Sequence, residues 1–168
     1  MENIENLVSK EAVEKIKELA QDAGICMFVT NLTELPLTSR PMGTADVDDE
    51  GNIWFLSNKN SDKNIEIKED KRVQLFYSNK GAAEYLSVFG EAEIYRDHAE
   101  VEKVWTPIAK AWFKQGADDP AVSAIRVKPQ DVYYWDTKHN KLVTLVSILA
   151  SAVSGKKDAN AVEGKLKV

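Results

Sequence analysis

Cysteine is almost missing from this 168-residue chain: Cys26 stands alone, so no disulfide can form within it, and a reducing cytoplasm is the expected compartment. Its neighbours in GICMFVT are apolar, which marks a buried packing thiol rather than a nucleophile. Histidine is nearly as scarce. His98 and His139 lie far apart in polar contexts, outside any H-E-x-x-H or Cys/His spacing, so no metal site is expected and both read as surface side chains. There is no G-x-S-x-G, no G-x-G-x-x-G after a strand and no Walker sequence, which removes the best-marked hydrolase, dinucleotide and nucleotide-phosphate signals. Long apolar runs are lacking as well. The longest, Leu142 to Val153, falls short of the roughly 20 residues that cross a bilayer, and MENIENLVSK carries acids where a signal peptide needs an apolar stretch. Cations are also outnumbered, 22 lysines and arginines against 27 acids. A net charge of -5 argues against a nucleic-acid partner and against an anionic membrane surface.

What is present, 43% hydrophobic and 29% charged residues, suits one globular domain. From Ser9 the apolar positions Ala12, Val13, Ile16, Leu19 and Ala20 recur at helical spacing until Gly24 offers a C-cap. ICMFVTN then reads as a strand, and PLTSRPMGTADVD as a second strand that turns at DDEGN into IWFLS, an antiparallel hairpin. SDKNIEIKED predicts a short helix with Ser61 as N-cap and Ile65 on its inner face. RVQLFYS and YLSVFGEAEIYRD form another hairpin. Asp97 caps a longer helix, HAEVEKVWTPIAKAWF, whose stripe is Val101, Val104, Trp105, Ile108 and Trp112, bent at Pro107. VSAIRVKP and VYYWD are two further strands, and the run from Leu142 reads as a helix, apolar nearly all round, with Thr144, Ser147, Ser151 and Ser154 on one stripe. Residues 1–155 are thus expected as a single domain and 156–168 as a flexible tail. Some six short strands joined by hairpins, with a few helices, point to an antiparallel barrel of mainly β, α+β character.

One stretch is awkward for a strand. LTSRPMGT places Arg40 beside Pro41, although proline deletes a ladder donor and arginine resists burial. A second stretch, Ile53 to Ile67, ends a strand at Ser57 and opens a helix at Ser61 with Lys63 in its first turn. A helix start with free N–H groups, a hydroxyl and an ammonium can cradle a phosphate; ordinary capping by Ser61 with a solvated Lys63 explains the same residues. Arg40, delivered from the hairpin partner, would tip the balance toward a phosphomonoester site.

LTSRPM, GNIWFLSNKNSDKNIEI, LSVFGEAEIYRD, KAWF and VYYWD together resemble the general stress protein branch of the pyridoxamine 5'-phosphate oxidase-like split barrels, which bind FMN as homodimers. The resemblance implies an FMN-binding split β-barrel. It places Ser39, Arg40, Pro41 and Met42 on the strand whose arginine meets the FMN phosphate and whose backbone lines the isoalloxazine. Phe55, Leu56 and Ser57 match the second flavin-lining strand, and Ser61 and Lys63 the phosphate-holding helix start. Trp135 matches an aromatic that reaches the partner subunit's flavin, so the site would lie at the subunit interface. Trp112 and Phe113 are either near that cleft or core.

Two departures limit what carries over. Asp62 stands where the oxidases usually have a second arginine, which should weaken FMN affinity. Lys141 to Leu145 reads KLVTL where the oxidases have an Arg-Leu-His-Asp-Arg-like grip on pyridoxamine phosphate, so that oxidation is not expected. No general acid or base stands out. The expected function is a flavin-dependent reductase acting with a small-molecule electron donor or acceptor; a non-catalytic FMN-binding or sensing stress protein, or a barrel that has lost its flavin, are the alternatives.

Overall fold

The computed structural model describes residues 7–137 and 161–167. Its centre is an antiparallel sheet curled into a half-barrel. Strands β2 (Ile25–Thr30), β3 (Thr38–Gly43), β5 (Ile53–Asn58), β6 (Arg72–Asn79), β7 (Glu84–Tyr95) and β8 (Val122–Thr137) form the wall. The hydrogen-bonded order runs β3, β2, β6, β7, β8, β5. The two outer members, β3 and β5, approach without pairing, and the gap between them is the split of the barrel. The chain crosses that gap at two residues: the Thr44 N–H donates to the Gly24 carbonyl on one side, and the Ala45 N–H to the Trp54 carbonyl on the other.

The expected hairpin is therefore real but shorter than the sequence suggests. Only β4 (Asp46–Val47) pairs with β5, while the segment carrying Arg40 pairs instead with β2, Arg40 opposite Phe28. Alternation sorts each strand into two faces. Phe28, Phe55, Val73, Leu75, Val88, Ile125 and Tyr134 are buried inside, with Phe28 and Phe55 edge to face at 5.1 Å. Helix α1 (Ser9–Ala23) packs Ala12, Ile16, Leu19 and Ala20 into the same core. It stops as expected at Gly24, whose φ of +72° is the left-handed cap that suits glycine. Cys26 is buried, and burial pushes its thiol up to about 12, so it is a packing residue.

Four expectations fail. The long helix from Asp97 stops at Lys103; Asp97 does cap it, accepting from the Glu100 N–H at 3.1 Å. Thr106 is extended, as the residue before a proline prefers, and Pro107 restarts the chain as a 3-10 turn over Pro107–Ala111. The apolar stripe breaks there too: Val101 and Val104 are core, whereas Ile108 and Trp112 are 73% and 72% exposed. Second, VSAIRVKP and VYYWD are one continuous strand. Pro129 is absorbed where the β7–β8 register shifts between Phe89 and Gly90, a bulge that spares the missing donor. Third, the tail expected to be loose contains β9 (Ala161–Lys167), antiparallel to β8 and parallel to β1 (Leu7–Val8); Gly164 and Leu166 face inward between Glu163, Lys165 and Lys167. Fourth, helix α2 (Asp62–Glu69) turns Asn64 and Ile67 inward and leaves Ile65 49% exposed. The proposed apolar helix after Leu142, with its hydroxyl stripe, and the KLVTL segment lie outside the described residues.

Candidate functional site

The split of the barrel brings three elements to one corner. β5 delivers Ser57 to its end, the turn Asn58–Ser61 reverses the chain, and α2 begins at Asp62. Ser61 is the N-cap in an extended conformation, yet its hydroxyl makes no capping bond. It donates instead to Asn64 Oδ1 at 3.2 Å, which also accepts from Ser57 Oγ at 2.8 Å. Asn64 Nδ2 donates to Ser123 Oγ at 2.9 Å, and Ser123 Oγ donates to the Ser57 carbonyl at 3.1 Å. Ser57, Asn64 and Ser123 are all buried. This closed network ties α2 to the β5–β8 pair, and no side chain caps the helix start, where the Asn64 N–H donates to the Ser61 carbonyl at 3.0 Å. Asn64 and Ser123 were missed in the sequence; a polar residue at the inward position of a helix was the one available signal.

Arg40 reaches the same helix from the other side of the split. Its Nη2 donates to Glu66 Oε2 at 2.9 Å and its Nη1 to Thr30 Oγ1 at 2.5 Å, while Thr30 Oγ1 donates to Glu66 Oε2. Thr30 is fully buried, and the Arg40 and Glu66 side chains are about a fifth exposed. The guanidinium therefore has a counter-ion, Glu66, within the chain. Glu66 was not foreseen, because nothing local links residues 26 apart.

Lys63 is the unmatched charge. It makes no ion pair among the described residues, and its ammonium is held below the usual lysine range, first by burial and then by the nearby Arg40 charge, against the pull of Asp62 and Glu66. Two cations thus stand close enough to repel at an uncapped helix start. That arrangement favours a dianion there, and the residues present fit a phosphomonoester. Asp62 is exposed on the first turn, where it complements the helix dipole.

The remaining candidates divide. Ser39 and Pro41 are exposed on β3, and Met42 packs partly on the core. Phe55 is fully buried, so only its backbone can border a ligand, and Leu56 is half-buried. Trp135 is not brought to this corner: it lies on β8 twelve residues beyond Ser123, roughly 40 Å along an extended strand. There it is 42% exposed, 4.8 Å from the Tyr133 ring. Trp112 is exposed, whereas Phe113 is core beside Trp105. No cluster of metal-ligating side chains occurs among the described residues.

The half-barrel and its split-edge corner define a split-barrel protein, and comparison with known proteins gives the family. Residues 11–159 match the family described as pyridoxamine 5'-phosphate oxidase like, and the chain belongs to it. A protein of Neurospora crassa, Protein bli-3, is 30% identical over 129 residues, 71% of this chain; the chain spans 62% of that relative's length. A candidate general stress protein 26 of Jannaschia sp. CCS1 has the same fold, with a TM-score of 0.75 at 20% identity over 94% of this chain and 99% of that one. The general stress FMN/FAD binding protein of Xanthomonas citri matches with a TM-score of 0.64 at 25% identity, over 77% of this chain and 90% of its own.

Proposed function

We propose that this chain binds FMN with its phosphate at the α2 start, held by Lys63, Arg40, Ser61 and the first-turn N–H groups. The observation that carries this reading is the convergence of Lys63 and Arg40 on an uncapped helix N-terminus, with Lys63 left unpaired among the described residues. Bound flavin supplies the hydride or electron chemistry. The chain's own part is to hold the phosphate, to lay the backbone of Arg40–Met42 and Phe55–Ser57 along one side of the ring system, and to keep Arg40 aligned through Glu66 and Thr30. The description of the Xanthomonas citri relative as FMN/FAD binding supports a flavin; a corner suited to one phosphomonoester favours FMN.

The protein acts as a homodimer in this reading. The outer face of the barrel wall supports it: Met27 stands opposite both Pro41 and Phe76, and Tyr85 opposite Trp135, all exposed. Exposed apolar and aromatic groups of this kind suit an interface. A second copy there would bring its Trp135 toward the flavin, in a cytoplasmic oxidoreductase that exchanges electrons with a small molecule. A non-catalytic flavin-binding or sensing role is the second reading, favoured because, among the described residues, no histidine stands at the corner to move protons near neutral pH.

The test is titration of the purified protein with FMN, followed by flavin fluorescence and the visible spectrum. Arg40→Ala is expected to weaken binding by about 1.5 to 3 kcal/mol, the range for hydrogen bonds to charged groups. No FMN binding by the wild type, or unchanged affinity in Arg40→Ala, overturns the proposal. Oxidation of reduced nicotinamide no faster than with free FMN selects the non-catalytic reading.

A further inference from the structure

The opposite end of α2 carries a second concentration of positive charge that the flavin reading does not use. Between the last turn of α2 and the end of β7 lies an open cleft of about 350 Å³. Its floor is apolar, with buried Ile67 and Ala92, and Tyr95 stands at one side. Three cations, Lys68, Lys71 and Arg96, and one acid, Glu93, also line it. None of the three is in an ion pair among the described residues, although the chain as a whole carries a net charge of -5. The nearby acids are already engaged. Glu93 bonds Arg126 Nη2 at 2.6 Å and the Tyr95 hydroxyl at 2.7 Å, and Asp70 pairs with Arg72 at 2.6 Å.

Helix geometry accounts for part of this charge. Lys68 in the last turn complements the negative end of the helix dipole. Lys71 and Arg96 have no such reason: Lys71 immediately precedes β6, Arg96 immediately follows β7, and both line the cleft, with the Lys71 carbonyl accepting from the Ala92 N–H. Converging cations around an apolar floor match an anion attached to a flat apolar body. The volume, at the low end for ligand cavities, admits a single ring.

We propose that this cleft is a second binding site, for a small phosphate monoester of an aromatic ring, separate from the α2 start. The cations take the phosphate, and Ile67, Ala92 and Tyr95 take the ring. The site stands independently of whether the protein binds FMN.

Phenyl phosphate is the probe, titrated into the full chain by calorimetry at low ionic strength, with phenol and inorganic phosphate as the two half-ligands. Saturable binding is expected, tighter than either half-ligand by fivefold or more. It should weaken at least tenfold in Lys71→Ala/Arg96→Ala, two exposed positions whose replacement leaves the core untouched. Lys63→Ala, which touches only the α2 start, should leave the binding that depends on Lys71 and Arg96 in place. The proposal is overturned by absence of saturable binding up to several millimolar, or by an affinity indifferent to the double substitution. It is equally overturned if binding is lost in Lys63→Ala instead, which would put the phosphate at the α2 start.

Discussion

The two ends of β8 solve opposite problems. At Ser123 the strand is fully buried beside a polar network in which every described hydroxyl and amide has found a partner within the chain. At Tyr133 and Trp135 the same strand presents aromatic surface to solvent. Hidden polar groups that are satisfied internally rigidify a site, whereas apolar surface left bare asks for something outside the chain. In the reading proposed above, the first end belongs to the ligand corner and the second to an interface between copies. The Gly90–Pro129 bulge lies between them and lets one strand change its surroundings without losing the ladder on both sides.

That bulge is where the comparison breaks most easily. A Cβ at Gly90 would stand 2.3 Å from the Lys128 carbonyl oxygen, a backbone atom that cannot swing away. Gly90→Ala should cost about 3 kcal/mol, the upper range for overpacking, and should disturb both ends at once. Urea unfolding measures it. A loss under about 1 kcal/mol would show that the bulge relaxes and does not hold the two ends in register.

The exposed end comes next. Phe76→Lys adds a charge to the centre of the bare face, opposite Met27. If that face joins two copies, association should weaken by about 2 kcal/mol or more, as for a central interface anchor, while thermal stability of the monomer changes little. Sedimentation velocity reads the outcome, and a wild-type monomer would remove the interface altogether.

At the buried end, Asn64→Ala deletes the hub of the Ser57, Ser61 and Ser123 network. Leaving buried hydroxyls without partners should cost about 2 kcal/mol, seen in urea unfolding. FMN affinity should also fall, because α2 loses the tie that fixes its start. Full stability with weakened FMN binding would mean that the network positions the helix without holding the fold.

How far these features could be read in advance depended on range. Helix α1, the β6–β7 hairpin and the start of α2 are local patterns: Gly24, the NKGAAE turn and Ser61 each mark their boundaries within a few residues. Arg40, Ser57, Ser61 and Lys63 were legible only jointly, and Arg40 does reach the helix that carries Lys63. Its partner Glu66 was hidden, since an acid on a polar helix looks solvated until β3 is packed against it. The inward turn of Asn64 was hidden for a related reason: alone, the helix pattern favours Ile65, and only Ser123, from a strand 59 residues on, makes the polar choice the better one. Proline misled twice in opposite directions. Pro107 ended a helix that apolar spacing seemed to continue, because Thr106 is forced out of the helical region. Pro129 suggested a break in a strand that continues, because a bulge across at Gly90 removed the need for its donor. β9 was missed because a short strand with two lysines and a glycine has little signal until β8 offers an edge.

The smallest expected effect sharpens the corner itself. Asp62 is exposed at the first position of α2 and makes no ion pair among the described residues. It does two opposed things: it complements the positive helix end, and its charge supports the Lys63 ammonium. A phosphate bound at the same helix start would repel it. Asp62→Arg should therefore tighten FMN by about 0.5 to 1 kcal/mol, the scale of one charge at a helix terminus, and should lower the stability of the protein without ligand by about 0.5 kcal/mol. The gain should shrink at high salt, because an exposed charge is screened while the half-buried Lys63 is less so. Flavin fluorescence titration at two ionic strengths measures it. Weaker FMN binding in Asp62→Arg would place the larger role of Asp62 in keeping Lys63 charged and oriented, and the phosphate would then depend on that carboxylate rather than tolerate it.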